Sequence, residues 1–139
     1  VAAINRHPLK PRPWIEGFAR EKLGQAGLDA YAAVEARHLN VIQKKRLELA
    51  RALATEPKLL MLDEVLGGLN TQEIGQAVDF IRRLRDEAGL TILWIEHVMG
   101  AIMQAAERVI VLDQGRVLMA GTPTEVVNDP RVIQAYLGE

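Results

Sequence analysis

The chain has 139 residues, 49% of them apolar and 25% charged, with a formal net charge of −1 and no cysteine. That length suffices for one ordinary domain that buries roughly 70% of the surface its unfolded chain exposes. Near-neutral charge leaves no net field to attract nucleic acid or an anionic membrane, and the lack of cysteine excludes disulfides and thiolate metal sites.

Apolar runs such as TILWI and VIVL fall far short of the roughly 20 residues a membrane helix needs. The opening NRHPLKPRP leads into a mixed, charged segment, so no signal peptide is expected. From Pro13 to Ala26 the apolar positions Trp14, Ile15, Phe18, Ala19, Leu23 and Ala26 recur at helical spacing. Gly27 then reads as a stop and Asp29 as the cap of a new helix, so residues 1 to 37 are expected to be mostly helical. A further helix is expected over KKRLELARALATEP, with Leu47, Ala50 and Leu53/Ala54 on one face and Pro57 beyond its end.

KLLML is apolar on successive residues, the pattern of a strand covered on both faces in the middle of a sheet. Thr71 is expected to cap the next helix, whose face is Ile74, Ala77/Val78, Ile81 and Leu84 and which Gly89 stops. LTILWI is another continuously apolar strand, and the β-α-β unit so formed implies parallel strands with a ligand crevice at their carboxyl ends. A short helix follows around 98–107, then two strands in RVIVLDQGRVLMAGT joined at Asp113-Gln114-Gly115. TPTEVVND and PRVIQAYLG each carry proline near the start of a helical turn.

The chemistry concentrates at the two strand ends. Asp63 is placed to hold Mg²⁺ directly or through water, and Glu64 to polarise an attacking water. His97, after Glu96 at the end of the neighbouring strand, is placed to hydrogen-bond a terminal phosphate. Singly, each residue reads as a solvated turn or a locally satisfied histidine; the crossover that brings both ends side by side favours a site.

LNVIQKKRLELARALATEPKLLMLDEVLGGLN, TILWIEHVM and VIVLDQGRVLMAGTPTEVVND together resemble the second half of an ABC-type ATPase, by motif over about residues 38 to 128. The resemblance implies an α/β fold: a partial parallel sheet of the P-loop NTPase kind with an N-terminal helical subdomain, the Walker A half missing. Residues 1–45 would be the helical, signature-bearing subdomain. Residues 46–139 would be the C-terminal half of the ATPase core, with its β-hairpin and C-terminal helices. By the same resemblance Asp63 matches the Walker B aspartate and metal ligand, Glu64 the catalytic base and His97 the switch histidine. Gly68, Leu69 and Asn70 fall on the D-loop, where Leu69 and Asn70 would face nucleotide at a dimer interface. The ending NDPRVIQAYLGE is similar to the tail of ATP-binding subunits of branched-chain amino acid importers.

Departures from the family pattern are specific. The signature L-S-G-G-Q is replaced by Leu39-Asn40-Val41-Ile42-Gln43. Asn40 and Gln43 keep polar groups for the γ-phosphate, whereas β-branched Val41 and Ile42 resist positive φ and crowd a phosphate, or simply pack an apolar loop on the core. Asn70 stands where the D-loop aspartate would be and keeps one acceptor oxygen. No G-x-x-x-x-G-K-[ST] occurs, so the sequence holds no nest of backbone N–H groups, no phosphate-binding lysine and no hydroxyl ligand for Mg²⁺.

The expectation is therefore the C-terminal part of an importer subunit that couples ATP hydrolysis to uptake of amino acids or similar solutes. ATP and Mg²⁺ would be its cofactors in the full-length form, with weak or no binding and no turnover by these residues alone. Its expected partners are transmembrane permease subunits and a second ATP-binding subunit in a head-to-tail dimer, with no nucleic acid, at the cytoplasmic face of the cell membrane. An unpaired sheet edge is expected to promote self-association. The alternatives are a non-enzymatic docking or dimerisation module and half of an ABC-type ATPase of DNA repair. The latter calls for coiled-coil heptads that residues 1–37, interrupted by proline and glycine, do not show.

Overall fold

The computed structural model describes residues 2–137. Val1 and the last two residues of the NDPRVIQAYLGE tail, Gly138 and Glu139, lie outside the described residues. The chain divides into two compact units, 1–65 with 84–95, and 66–83 with 96–139.

The first unit opens with α1 (Ala2–Arg6), α2 (Arg12–Gln25) and α3 (Val41–Leu53), which pack on one another. α2 has proline in its first turn, where a missing N–H costs nothing. It buries Phe18 with Ala3 and Ala54, flanked by Ile15 and Ala19. Gly27 adopts φ +68° and ends the helical segment as expected. Beyond it, however, Asp29–Tyr31 and Ala36–His38 form single 3₁₀ turns, and the Asp29 side chain caps nothing, since Leu28 holds the cap position. Too few residues separate Gly27 from Glu35 for a costly helix nucleus to be repaid.

β1 (Leu59–Asp63) and β2 (Thr91–Ile95) complete this unit as a parallel pair, in register from Leu59 opposite Thr91 to Asp63 opposite Ile95. The parallel crossover expected from the sequence is present, but the expectation that both strand faces are covered is not met. Leu60 and Leu62 are buried, whereas Met61 is 67% exposed and Leu59, Leu93 and Ile95 are exposed beside it. Side chains alternate across a strand, and a two-stranded sheet packed on one side leaves the odd-numbered residues in solvent.

α4 (Thr71–Asp86) links the strands and buries Val78, Ile81 and Leu84, the expected face. Its cap is Asn70 rather than Thr71. Asn70 Oδ1 accepts the Glu73 N–H at 3.0 Å and the Glu73 carboxylate accepts the Asn70 N–H at 2.8 Å. This reciprocal box uses the residue before the first helical one, the position that Thr71 does not occupy.

The second unit contains α5 (Met99–Ala105), β3 (Val109–Asp113), β4 (Arg116–Gly121), α6 (Pro123–Val127) and α7 (Pro130–Val132), the last continued by a π-helical turn over Ile133–Leu137. β3 and β4 are antiparallel around Gln114 and Gly115, both at positive φ (45° and 77°), the backbone of a tight hairpin turn. Val109 and Val111 turn inward, and α6 packs on both strands with Val126 fully buried. Thr122 caps α6 in a second box with Glu125. The Tyr136 hydroxyl donates to the Leu112 carbonyl.

Candidate active site

Asp63 is the last residue of β1, and the ladder continues one step beyond it: the Glu64 N–H donates to the Ile95 carbonyl at 2.9 Å. Glu64 makes that bond with φ at +46°. Left-handed backbone is costly for a residue with a Cβ and recurs at functional sites, where surrounding contacts hold it. The following turn is held as well, because Lys45 of α3 donates from Nζ to the Val65 carbonyl at 2.8 Å. Both acids are exposed, so the first unit presents two carboxylates from a strand end fixed on either side.

In the second unit the Glu96 side chain is wholly buried while that of His97 is 68% exposed. Glu96 Oε2 accepts the Leu66 N–H at 3.2 Å; Oε1 accepts the His97 N–H at 3.1 Å and lies 3.3 Å from His97 Nδ1. Leu66 is buried, the Leu69 N–H returns to its carbonyl at 3.1 Å, and Gly68 takes φ +77°. The segment aligned with the D-loop is therefore a compact turn closed by the Asn70 cap.

Asn40 and Gln43 are brought together, but chiefly with each other. Asn40 Oδ1 accepts the Gln43 N–H and Gln43 Oε1 accepts the Asn40 N–H, both at 2.9 Å. α3 starts at Val41, so Val41 and Ile42 form its first helical turn rather than an apolar loop on the core, and Val41 is 61% exposed. A capping asparagine draws these residues into the helix, and the negative φ it imposes suits β-branched side chains.

Hydrogen bonds from the Arg131 guanidinium hold the Asp129 carboxyl at about 2, and the Thr122 N–H and hydroxyl lower Glu125. No group of three or more metal-ligating side chains occurs among the described residues. Asp63 fits the single-carboxylate share that Mg²⁺ takes when water and phosphate oxygens fill its other positions. The triphosphate is not matched by any glycine-rich loop in the 139 residues.

The sequence places Glu96 beside His97 at a strand end without giving it a role of its own, and does not single out Lys45. Lys45 is one of several basic residues in a run, and only the fold selects it. Glu96 carried a weak signal, an acid directly after an apolar strand.

A family model described as branched-chain amino acid ATP-binding cassette transporter matches residues 116–139. The high-affinity branched-chain amino acid transport ATP-binding protein LivG of Salmonella typhimurium is 44% identical over 117 residues, 84% of this chain and 46% of that protein. Over most of its own length the chain is thus similar to an ATP-binding protein of an amino acid transport system. BraF of Pseudomonas aeruginosa, which carries the same description, is 40% identical over 122 residues, 88% of this chain and 48% of BraF. The chain thus spans about half the length of the curated relatives it matches.

Solved structures agree on the fold of this family. CbiO1 from Clostridium perfringens, described as part of the ABC transporter complex cbiONQ, superposes with a TM-score of 0.83 at 28% identity, over 96% of this chain and 53% of that one. The ATP-binding cassette MJ1267 in its ADP conformation gives 0.82 at 27% identity, over 94% and 52%. No described helix is long and apolar enough to cross a membrane.

Proposed function

We propose that this chain supplies the Walker B, signature, D-loop and switch elements of an ATPase that drives import of amino acids or similar solutes, and that these 139 residues alone do not turn over ATP. The observation that carries the reading is the parallel register of Asp63 opposite Ile95. Asp63 closes β1 at that register and Glu64 follows it, at the carboxyl end where sheets of this class meet their ligands. Likeness to LivG and BraF supports the transport role.

In this reading Asp63 holds Mg²⁺, which when bound neutralises phosphate charge. Glu64 accepts a hydrogen bond from the attacking water and orients it, its carboxylate aimed by the strained backbone. His97 donates to the terminal phosphate. Asn40 and Gln43 contribute through the N-terminus of α3, and Leu69 and Asn70 through the D-loop turn. The partners are permease subunits and a second ATP-binding chain at the cytoplasmic face of the membrane.

Positioning of the γ-phosphate supplies most of the catalysis in phosphoryl transfer, and the sequence holds no G-x-x-x-x-G-K-[ST] loop to cradle it. Steady-state ATPase assays on the purified chain are expected to show no saturable hydrolysis. Saturable turnover that Glu64→Gln abolishes would overturn the second half of the proposal.

A further inference from the structure

The Glu96 carboxylate is buried and has no role in the reading above. An isolated carboxylate in such a place is expensive unless its lone pairs are met. Here both oxygens are engaged and their partners are informative: Leu66, which opens the D-loop turn, and the backbone and ring of His97.

We propose that Glu96 is a positioning residue that fixes the His97 ring with its proton on Nδ1 while pinning the start of the D-loop turn through Leu66. The inference rests on the proposed ATPase role of His97 and adds to it. A carboxylate accepts only, so its Oε1 at 3.3 Å from Nδ1 favours the ring form that carries hydrogen on that nitrogen. The neutral ring then has a bare Nε2, and Nε2 donates to a phosphate oxygen only as imidazolium. The same carboxylate ties the Leu66 amide to the histidine, so one buried charge sets the local geometry of both segments.

Glu96→Gln keeps the shape but turns one acceptor into a donor, so the Leu66 N–H and the His97 contacts cannot all be met. Ring ¹⁵N correlation spectra of the intact chain, with the three histidines distinguished by the loss of one signal in His97→Asn, read the tautomer directly. Wild type is expected to show neutral His97 as the Nδ1–H form, and Glu96→Gln to shift it towards Nε2–H. Exchange of the Leu66 amide should accelerate about tenfold, as expected for loss of a hydrogen bond to a charged acceptor.

An Nε2–H ring in wild type, or a tautomer unchanged in a folded Glu96→Gln variant, overturns the inference. Should that variant fail to fold, the wild-type spectrum decides alone. Neither readout needs ATP, so ATPase activity of the lone chain would defeat the proposed function without touching this measurement.

Discussion

Lys45 Nζ donates a 2.8 Å hydrogen bond to the carbonyl of Val65, one residue past Glu64. The bond is partly buried and its donor charged, so Lys45→Met should lower stability by about 1–2 kcal/mol. Urea denaturation measures the loss. Faster exchange of the Glu64 amide would show that it falls on the strand end; an unchanged midpoint would mean that Lys45 only decorates the helix.

Glu64 sits at φ +46°, a conformation costing roughly 1–2 kcal/mol for residues with a Cβ. Glu64→Gly should therefore match or exceed wild-type stability, while Glu64→Ile should lose at least about 1 kcal/mol. Comparing the two midpoints separates backbone strain from loss of the carboxylate, which both variants share.

Asn40 closes the start of α3 through its box with Gln43. Asn40→Ala should cost about 1 kcal/mol and Asn40→Asp much less. Thermal unfolding by circular dichroism compares them, and equal melting of both variants would contradict the cap.

Asp129 falls from an ordinary 3.8 to about 2 through the Arg131 guanidinium. A carboxyl lowered in the folded state stabilises it above its unfolded pKa and loses that contribution as pH falls through the folded value. Stability should thus decline on acidification from near 4 towards 2. Arg131→Gln should return the Asp129 carbon resonance to titrating in the ordinary aspartate range.

Leu59, Met61, Leu93 and Ile95 are exposed on the sheet, an apolar patch of the sort that drives association. Light scattering of the 15.4 kDa chain should give a mass above the monomer, and Met61→Lys with Leu93→Lys should lower it. A monodisperse wild-type monomer would contradict the expectation.

The helix over 71–86 and the parallel crossover were legible because helical apolar spacing and glycine stops are local signals. The strand ends were legible for the same reason, with Asp63 and Glu64 marking where apolar residues cease. Surface placement was not: continuous apolarity at 59–62 marks a strand suited to burial on both faces, but cannot say whether both faces are covered. Nor could position alone reveal what Lys45 and Glu96 hold in place, since the Val65 carbonyl and the Leu66 N–H that they bond lie 20 and 30 residues away. The caps were misassigned by one residue at Thr71 because threonine and asparagine both suit that role, and only the hydrogen bonds choose between them.

Three helices begin with the same reciprocal device: Asn40 with Gln43, Asn70 with Glu73 and Thr122 with Glu125. Each closes over three residues and needs no distant partner, so it can form on the timescale of helix nucleation, before the strands find their register. Helix starts would then be set early and sheet pairing late, and a misfolded population would be expected to keep correctly begun helices while its strands remain mispaired.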